Sequence, residues 1–183
     1  MGENQLIVLT GGPGTGKSQL LATLQKKGFH CYEEISRQVI DKGKRQGMSN
    51  YFLSSPLAFS KELFEGRKTQ HQSAKALPYD TEKPYVFLDR GLPDVVAYLK
   101  ALGENTEAWE TEMIKFPYDK VVFFPPWEAI YQKDAQRMET FERAQELSDQ
   151  LWQLYQSYYP DMIVIPPGSL AERAQTLLKV LQP

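Results

Sequence analysis

The chain has 183 residues, of which 42% are hydrophobic, so its length suits one domain with a sizeable buried core. A net charge of -2 argues against a general nucleic-acid-binding protein. The single cysteine, Cys31, excludes an intrachain disulfide and favours a reducing compartment. No apolar run has the length of a membrane span, and the N-terminus lacks the pattern of a signal peptide. We therefore expect a cytoplasmic protein with no membrane or nucleic-acid partner.

Short apolar segments recur along the chain, and polar segments compatible with helices separate them. This alternation predicts an α/β domain over residues 1–183, in which a parallel five-stranded sheet carries helices on both faces. Ligands of such sheets bind at the carboxyl ends of the strands. The five candidate strands are residues 6–9, 29–32, 85–88, 121–124 and 162–165.

The first candidate strand leads into a glycine-rich stretch at residues 11–18, Gly-Gly-Pro-Gly-Thr-Gly-Lys-Ser. This stretch matches the phosphate-binding loop pattern in full, and a helical pattern follows it. Glycines let several backbone N–H groups approach a triphosphate, while Lys17 reaches the β- and γ-phosphates and Ser18 offers its hydroxyl to Mg²⁺. We expect a nucleotide to contact Gly12, Pro13, Gly14, Thr15, Gly16, Lys17, Ser18 and Gln19.

The third candidate strand ends in Asp89, followed by Arg90. A carboxylate at this place forms the Walker B arrangement, so we predict that Asp89 holds Mg²⁺ together with Ser18. Ring-forming and transporter-type ATPases usually carry a glutamate after this aspartate to activate water. A cation there suits the binding of a substrate or of the transferred phosphate, and it leaves hydrolysis without its usual base.

The second candidate strand brings Glu34 to the same edge of the sheet. Glu34 and Arg37 are i, i+3 neighbours at the start of a helix and share one of its faces. Two interpretations of Glu34 remain open, a contact with an acceptor hydroxyl or an ordinary ion pair with Arg37. Asp94 lies in the first turn of a helix predicted at 92–102, where the helix dipole stabilises a carboxylate and a substrate contact is also open.

The polar segment at about 127–143 follows the fourth candidate strand. Lys133, Asp134 and Arg137 occur in it at helical spacing, and Arg143 follows. This pattern predicts a small helical lid that closes over the phosphates and excludes water. A solvent-exposed helix with internal ion pairs would show a similar pattern.

Four further features complete the predicted domain. Pro56 begins a long helix that runs to about residue 77, and a shorter helix over 35–42 is followed by a loop over 41–50. The apolar and aromatic stripe over 141–159 predicts a helix packed in the core. Ser169 is a candidate cap for the last helix, and the loop containing Gly168 is assigned to the nucleotide base.

The motifs together resemble those of small phosphate-loop kinases of nucleosides and nucleotides. They are especially similar to an AAA-labelled family of predicted ATPases and kinases related to the ribosylnicotinamide kinase domain, although the family often has Gly where this chain has Ala135. The resemblance implies that Asp89 and Arg90 serve the metal and the phosphates and that Arg137 covers the transferred group. The motifs that carry it are the loop at 11–18, Glu34 with Arg37, Asp89-Arg90-Gly91 with Asp94 and Tyr98, and Asp134 with Arg137.

The sequence therefore favours a kinase that uses ATP and Mg²⁺ to phosphorylate a small nucleoside- or nucleotide-like acceptor. Its predicted catalytic residues are Lys17, Glu34, Asp89, Arg90 and Arg137, and its predicted substrate contacts are Glu34, Arg37 and Asp94. One alternative is a nucleotide-dependent switch or slow NTPase that acts through a protein or lipid partner. The Asn-Lys-x-Asp sequence of guanine-specific switches is absent, which weakens this alternative. A second alternative, an ATPase of a nucleic-acid pathway, conflicts with the acidic pI of about 5.8.

Overall fold

A computed structural model describes residues 2–45, 47–48, 50–128 and 141–182 of the chain. In these residues a five-stranded parallel sheet has the strand order β2-β3-β1-β4-β5. This arrangement confirms the predicted α/β fold with a parallel five-stranded sheet. The strands are β1 (Gln5–Gly11), β2 (His30–Tyr32), β3 (Tyr85–Asp89), β4 (Lys120–Phe124) and β5 (Ile163–Val164).

Helices connect the strands as the parallel sheet requires. The described helices are α1 (Lys17–Lys26), α2 (Ser36–Arg45), α3 (Tyr51–Ser54), α4 (Pro56–Lys75), α5 (Leu92–Ala101), α6 (Glu107–Met113), α7 (Phe141–Tyr158) and α8 (Leu170–Leu181). Pro56 occupies the first turn of α4, and Ser169 caps α8 through a hydrogen bond from the Glu172 N–H, as predicted. None of the helices in the described part of the chain is long and apolar enough to cross a membrane.

Side chains of the central strand point alternately to two buried clusters, one on each face of the sheet. Leu6 and Val8 contribute to the cluster that includes residues of α4, α5 and α7. Ile7 and Leu9 contribute to the other, which α1 and α8 cover. All four side chains are fully buried. β1 therefore lies in the middle layer of three, and the loop that follows it starts from a fixed strand end.

The prediction of a loop over residues 41–50 is wrong for its first half. The structure has a helix there, because α2 continues to Arg45. Asp41, Lys42 and Lys44 are exposed to solvent, while Gly43 is buried. A Cβ at Gly43 would lie 2.8 Å from the Cβ and Cδ1 of Tyr51, so the end of α2 packs closely on α3. The composition of this stretch therefore marks a solvated helix face and not the absence of a helix.

Candidate active site

The loop between β1 and α1 has the backbone that its glycines allow. Gly11, Gly14 and Gly16 have φ angles of 130°, 75° and 79°, in a region that other residues rarely occupy. At Gly11 a side chain is also excluded by space, because a Cβ would overlap the carbonyl oxygen of Phe124 on β4. The loop thus turns sharply at the end of β1 and directs the chain into the N-terminus of α1.

Lys17 is folded into this loop. Its Nζ donates hydrogen bonds to the carbonyl oxygens of Gly11, at 3.0 Å, and Gly12, at 2.8 Å, and to Thr15 Oγ1 at 3.0 Å. Burial, with a smaller contribution from the positive charge of Arg90, lowers the pKa of Lys17 to about 7. The ammonium group thus has only neutral oxygen atoms as hydrogen-bond partners among the described residues. It lies within the loop whose pattern predicts phosphate binding.

Ser18 and Asp89 form the next contact along the same edge of the sheet. Ser18 Oγ donates a hydrogen bond of 2.8 Å to Asp89 Oδ2. Burial raises the pKa of Asp89, although Lys17 and Arg90 oppose this effect. Mg²⁺ prefers oxygen ligands at 2.0–2.1 Å in octahedral geometry, so neighbouring ligands lie about 2.9 Å apart. The two oxygen atoms therefore fit a Mg²⁺ site in both chemistry and separation.

Glu34 lies beside this pair, between two arginines. Its carboxylate accepts hydrogen bonds from Arg67 Nη2, at 3.0 and 3.1 Å, and from the Ser36 N–H at 2.9 Å, and Arg90 Nε lies 2.8 Å away. Burial acts to raise the pKa of Glu34, but Arg67 and Arg90 outweigh it and the pKa falls. Arg37 is exposed on α2, so the partners of Glu34 are Arg67 and Arg90 and not Arg37.

Arg67, on α4, was not predicted as a site residue. It is 3% exposed, and its Nη1 donates a hydrogen bond of 2.9 Å to the carbonyl oxygen of Gly91. A sequence signal for it exists, because Leu63, Arg67 and His71 are spaced four residues apart and share the buried face of α4. A charged residue in phase with the apolar positions of a helix marks a buried charge, which needs a partner.

Asp94, in the first turn of α5, accepts hydrogen bonds from four protein groups. The Thr10 hydroxyl, at 2.9 Å, and Arg90 Nη1, at 2.8 Å, donate to Oδ1. The Gly91 N–H, at 2.9 Å, and the Tyr155 hydroxyl, at 2.6 Å, donate to Oδ2. Burial acts to raise the pKa of Asp94, but Arg90 and Arg67 lower it overall. Asp94 thus connects Arg90 with β1 and α7, and the stripe predicted as core on α7 contributes a polar partner in Tyr155.

The backbone of Arg90 is unusual among the described residues, because it is the one non-glycine residue with a positive φ, 74°. A left-handed conformation at such a residue costs about 1 kcal/mol or more and persists where its surroundings hold it. The Arg90 N–H donates to the carbonyl oxygen of Leu9 at 2.9 Å, and its guanidinium lies between Glu34 and Asp94. Strain of this kind is typical of functional positions.

The predicted site residues fall into three groups. Lys17, Ser18, Glu34, Asp89, Arg90 and Asp94 come together at the carboxyl ends of β1, β2 and β3. Gly168 follows β5, on the other side of β1, and Arg37 is exposed on α2. Lys133, Asp134 and Arg137 of the predicted lid lie outside the described residues.

Comparisons with known proteins agree with this architecture. A family model described as an AAA domain matches residues 6–173. The chain belongs to this family. The match to the AAA domain begins in β1 and ends in α8, so it includes every site residue described above. A search with the sequence finds no significant match among curated proteins.

Solved structures of kinases share the fold of this AAA domain. A deoxyadenosine kinase from M. mycoides is 15% identical with a TM-score of 0.66, and the match covers 97% of this chain and 98% of the kinase. The NadR protein in complex with NR is 16% identical with a TM-score of 0.67, over 97% of this chain and 50% of NadR. Thymidylate kinase from Candida albicans is 15% identical with a TM-score of 0.59, and the match covers 98% of this chain and 91% of the kinase. At these identities the likeness shows a phosphate-loop kinase fold.

Proposed function

We propose that the protein transfers the γ-phosphoryl group of ATP, with Mg²⁺, to a small nucleoside- or nucleotide-like acceptor. The observation that carries this proposal is the proximity of two sets of residues at one edge of the sheet. The Ser18–Asp89 pair and Lys17 form a donor side, and the Glu34–Arg90 ion pair lies directly beside it. A hydrolase needs a water-activating base at this edge, whereas a kinase needs groups that hold a second substrate.

The donor side binds the triphosphate. Backbone N–H groups of the loop and the N-terminus of α1 face the phosphates, and Lys17 exchanges its neutral oxygen partners for phosphate oxygens. Ser18 and Asp89 would hold Mg²⁺, which neutralises charge that develops on the phosphates. Asp89 stays close to Ser18 through the 2.8 Å hydrogen bond, so the two ligands are positioned before metal binds.

The acceptor side orients a hydroxyl or phosphate. Arg90 stabilises negative charge on the transferred group, and its strained backbone and two carboxylate partners fix its guanidinium. Glu34 accepts a hydrogen bond from the acceptor. Because Arg67 and Arg90 lower its pKa, Glu34 positions the acceptor and is a weak base, which suffices for phosphoryl transfer.

The class of acceptor rests on analogy. The similar structures are named as a deoxyadenosine kinase and a thymidylate kinase, and NadR was solved with NR. A nucleoside- or nucleotide-like acceptor is therefore the first class to test. Contacts of Arg37 and Asp94 with the acceptor, of Arg137 with the transferred group and of Gly168 with the base remain predictions.

A screen for acceptor-dependent ADP release tests the proposal. The full chain is incubated with ATP and Mg²⁺ and with nucleosides, nucleotides, vitamins or sugars, and ADP is measured. We expect release to depend on one class of acceptor and to be lost in Lys17→Ala. Lys26→Ala is the matched control, because Lys26 is exposed at the other end of α1.

Two results would contradict the proposal. Equal ATP affinity of wild type and Lys17→Ala, measured by isothermal titration, would remove the phosphate-binding assignment. ADP release that ignores every small acceptor and rises only with a protein or lipid partner would instead support a nucleotide-dependent switch.

A further inference from the structure

Arg173, on α8, is a buried cation to which the described residues offer no counter-charge. The residue is 5% exposed, and among the described residues no side chain forms an ion pair or hydrogen bond with its guanidinium. Its Nε is fully buried and lacks a hydrogen-bond partner. The guanidinium carbon lies 4.9 Å from the centroid of the Phe124 ring. A cation–π contact offsets only part of the cost of burying an unpaired charge. Among the described residues, the Arg173 guanidinium is therefore left without a hydrogen-bond acceptor that would offset the rest.

The position of Arg173 relates it to the phosphate-binding loop. Phe124 is the last residue of β4 and pairs in register with Gly11, the first glycine of the loop. Gly168 also adjoins Arg173, because a Cβ at Gly168 would lie 3.8 Å from Arg173 Cγ. The Arg173 side chain therefore lies near the end of β4, on the sheet face that α8 covers, and near the segment that precedes α8.

The strand order gives the two sides of the loop different roles. β3 and β2 lie on one side of β1 and carry Arg90 and Glu34, and β4 lies on the other side and carries Phe124. In phosphoryl transfer the attacking and leaving oxygens are roughly in line with the phosphorus, so acceptor and leaving nucleotide extend in opposite directions. With the acceptor near Glu34 and Arg90, the rest of the donor nucleotide extends toward β4 and α8.

We propose that Arg173 binds the base of the donor nucleotide. A guanidinium group has only hydrogen-bond donors, and purine rings present acceptors at their ring nitrogens and, in guanine, at O6. The Phe124 ring lies 4.9 Å from the guanidinium carbon, and this contact restrains the side chain before the base arrives. This inference rests on the proposed function, because it takes the loop as the phosphate site and Glu34 with Arg90 as the acceptor side.

Two probes separate a contact with the base from a contact with the phosphates. ATP carries both parts, whereas inorganic tripolyphosphate carries phosphates alone, and both are titrated calorimetrically with Mg²⁺ into the full chain. Arg173→Met keeps an unbranched side chain over Phe124 and removes the donors. We expect it to weaken ATP binding about tenfold, as for loss of a charge-assisted hydrogen bond, and to leave tripolyphosphate binding unchanged.

A matched control is Lys179→Met, which removes a charge from an exposed position on the same helix and should change neither affinity. Should Arg173→Met fail to fold, Arg173→Lys takes its place, because it keeps the charge and loses the planar donor fork. The same pattern is expected of it, weaker ATP binding and unchanged tripolyphosphate binding.

The possible failures are distinguishable. If wild type and the Arg173 variant bind ATP equally, the inference is wrong and the proposed function stands. If tripolyphosphate binding falls as much as ATP binding, Arg173 contacts phosphate and the assignment to the base is wrong. If wild type binds neither probe, the phosphate-binding assignment fails, and this inference fails with it.

Discussion

Arg67 and Arg173 are both buried arginines, 3% and 5% exposed, but their surroundings differ. Arg67 donates to the Glu34 carboxylate and to the Gly91 carbonyl, while the guanidinium of Arg173 lies over the Phe124 ring and has no ion pair or hydrogen bond with a side chain among the described residues. Burial acts to lower the pKa of both. Nearby carboxylates raise the pKa of Arg67 overall, but nothing offsets burial at Arg173. Carboxylates of the fold stabilise the charge of Arg67, whereas the described residues supply no carboxylate partner to Arg173.

Lys17 lies between these two cases. It has three hydrogen-bond partners, but all of them are neutral oxygens of its own loop. Burial, with a smaller contribution from Arg90, lowers its pKa to about 7, so the folded protein stabilises the ammonium group less than water does. The three buried cations thus form a series. It runs from Arg67, which is paired within the fold, through Lys17 to Arg173, which has no acceptor among the described residues. Each can be tested by substitution.

Arg67→Met should have the largest effect of the series. It would leave the Glu34 carboxylate without one of its two cations and the Gly91 carbonyl without its donor, so we expect the free energy of unfolding to fall by about 3–5 kcal/mol. Urea denaturation measures this change. Lys61→Met, at an exposed position of the same helix, should change stability by less than about 0.5 kcal/mol. A loss below that value in Arg67→Met would mean that the pair contributes nothing to the fold.

Asp94→Asn should lower both catalysis and stability, because Asp94 is buried and positions Arg90 through its ion pair of 2.8 Å. We expect kcat to fall about 100-fold, the loss typical of a misplaced group that stabilises transition-state charge, with a smaller change in KM for the acceptor. Tyr155→Phe removes one neutral donor to Asp94 and should give a smaller loss of kcat. Steady-state kinetics on the acceptor found by the screen decide this. Unchanged kcat with lowered stability would make Asp94 purely structural.

The titration of Lys17 predicts two pH dependences of opposite sign. Its pKa in the folded protein, about 7, lies below its ordinary value of 10.5, so the unfolded chain binds more protons between these values. Stability without ligand should therefore rise with pH from about 7 to 10.5. ATP needs the charged form, so its affinity should fall about fivefold between pH 7 and pH 8.

Calorimetric titration of ATP at the two pH values measures the second dependence. Lys17→Arg provides the control, because an arginine remains charged throughout this range and the fall in affinity should disappear. A fivefold fall that persists in Lys17→Arg would assign the dependence to another group.

The sequence was sufficient to place Ser18 beside Asp89, because this contact depends only on where two parallel strands end. The loop at 11–18 follows one strand directly, and Asp89 ends another, so the parallel sheet brings Ser18 and Asp89 to one edge. The same logic placed Glu34 and Arg90 nearby. All of these positions follow from strand ends, and strand ends are visible as the limits of apolar segments.

Partners between distant helices could not be predicted in this way. Arg67 lies in the middle of α4 and Tyr155 near the end of α7, so their pairs with Glu34 and Asp94 depend on how these helices pack. Arg173 is in phase with the buried positions Leu177 and Leu181 of α8, which signals a buried charge. The helical phase of Arg173 does not indicate whether a counter-charge lies nearby, because a counter-charge would come from another element that packs against α8.

Arg173→Met should have the smallest effect on stability, and its sign should depend on ATP. Without ATP the substitution removes an unpaired buried charge, so we expect the free energy of unfolding to rise by about 1 kcal/mol. Saturating ATP stabilises wild type more, because a tenfold tighter affinity adds about 1.4 kcal/mol, and wild type then becomes the more stable protein. Thermal unfolding with and without ATP measures both signs. A variant less stable than wild type in both conditions would mean that the protein itself stabilises the charge of Arg173, as it does that of Arg67.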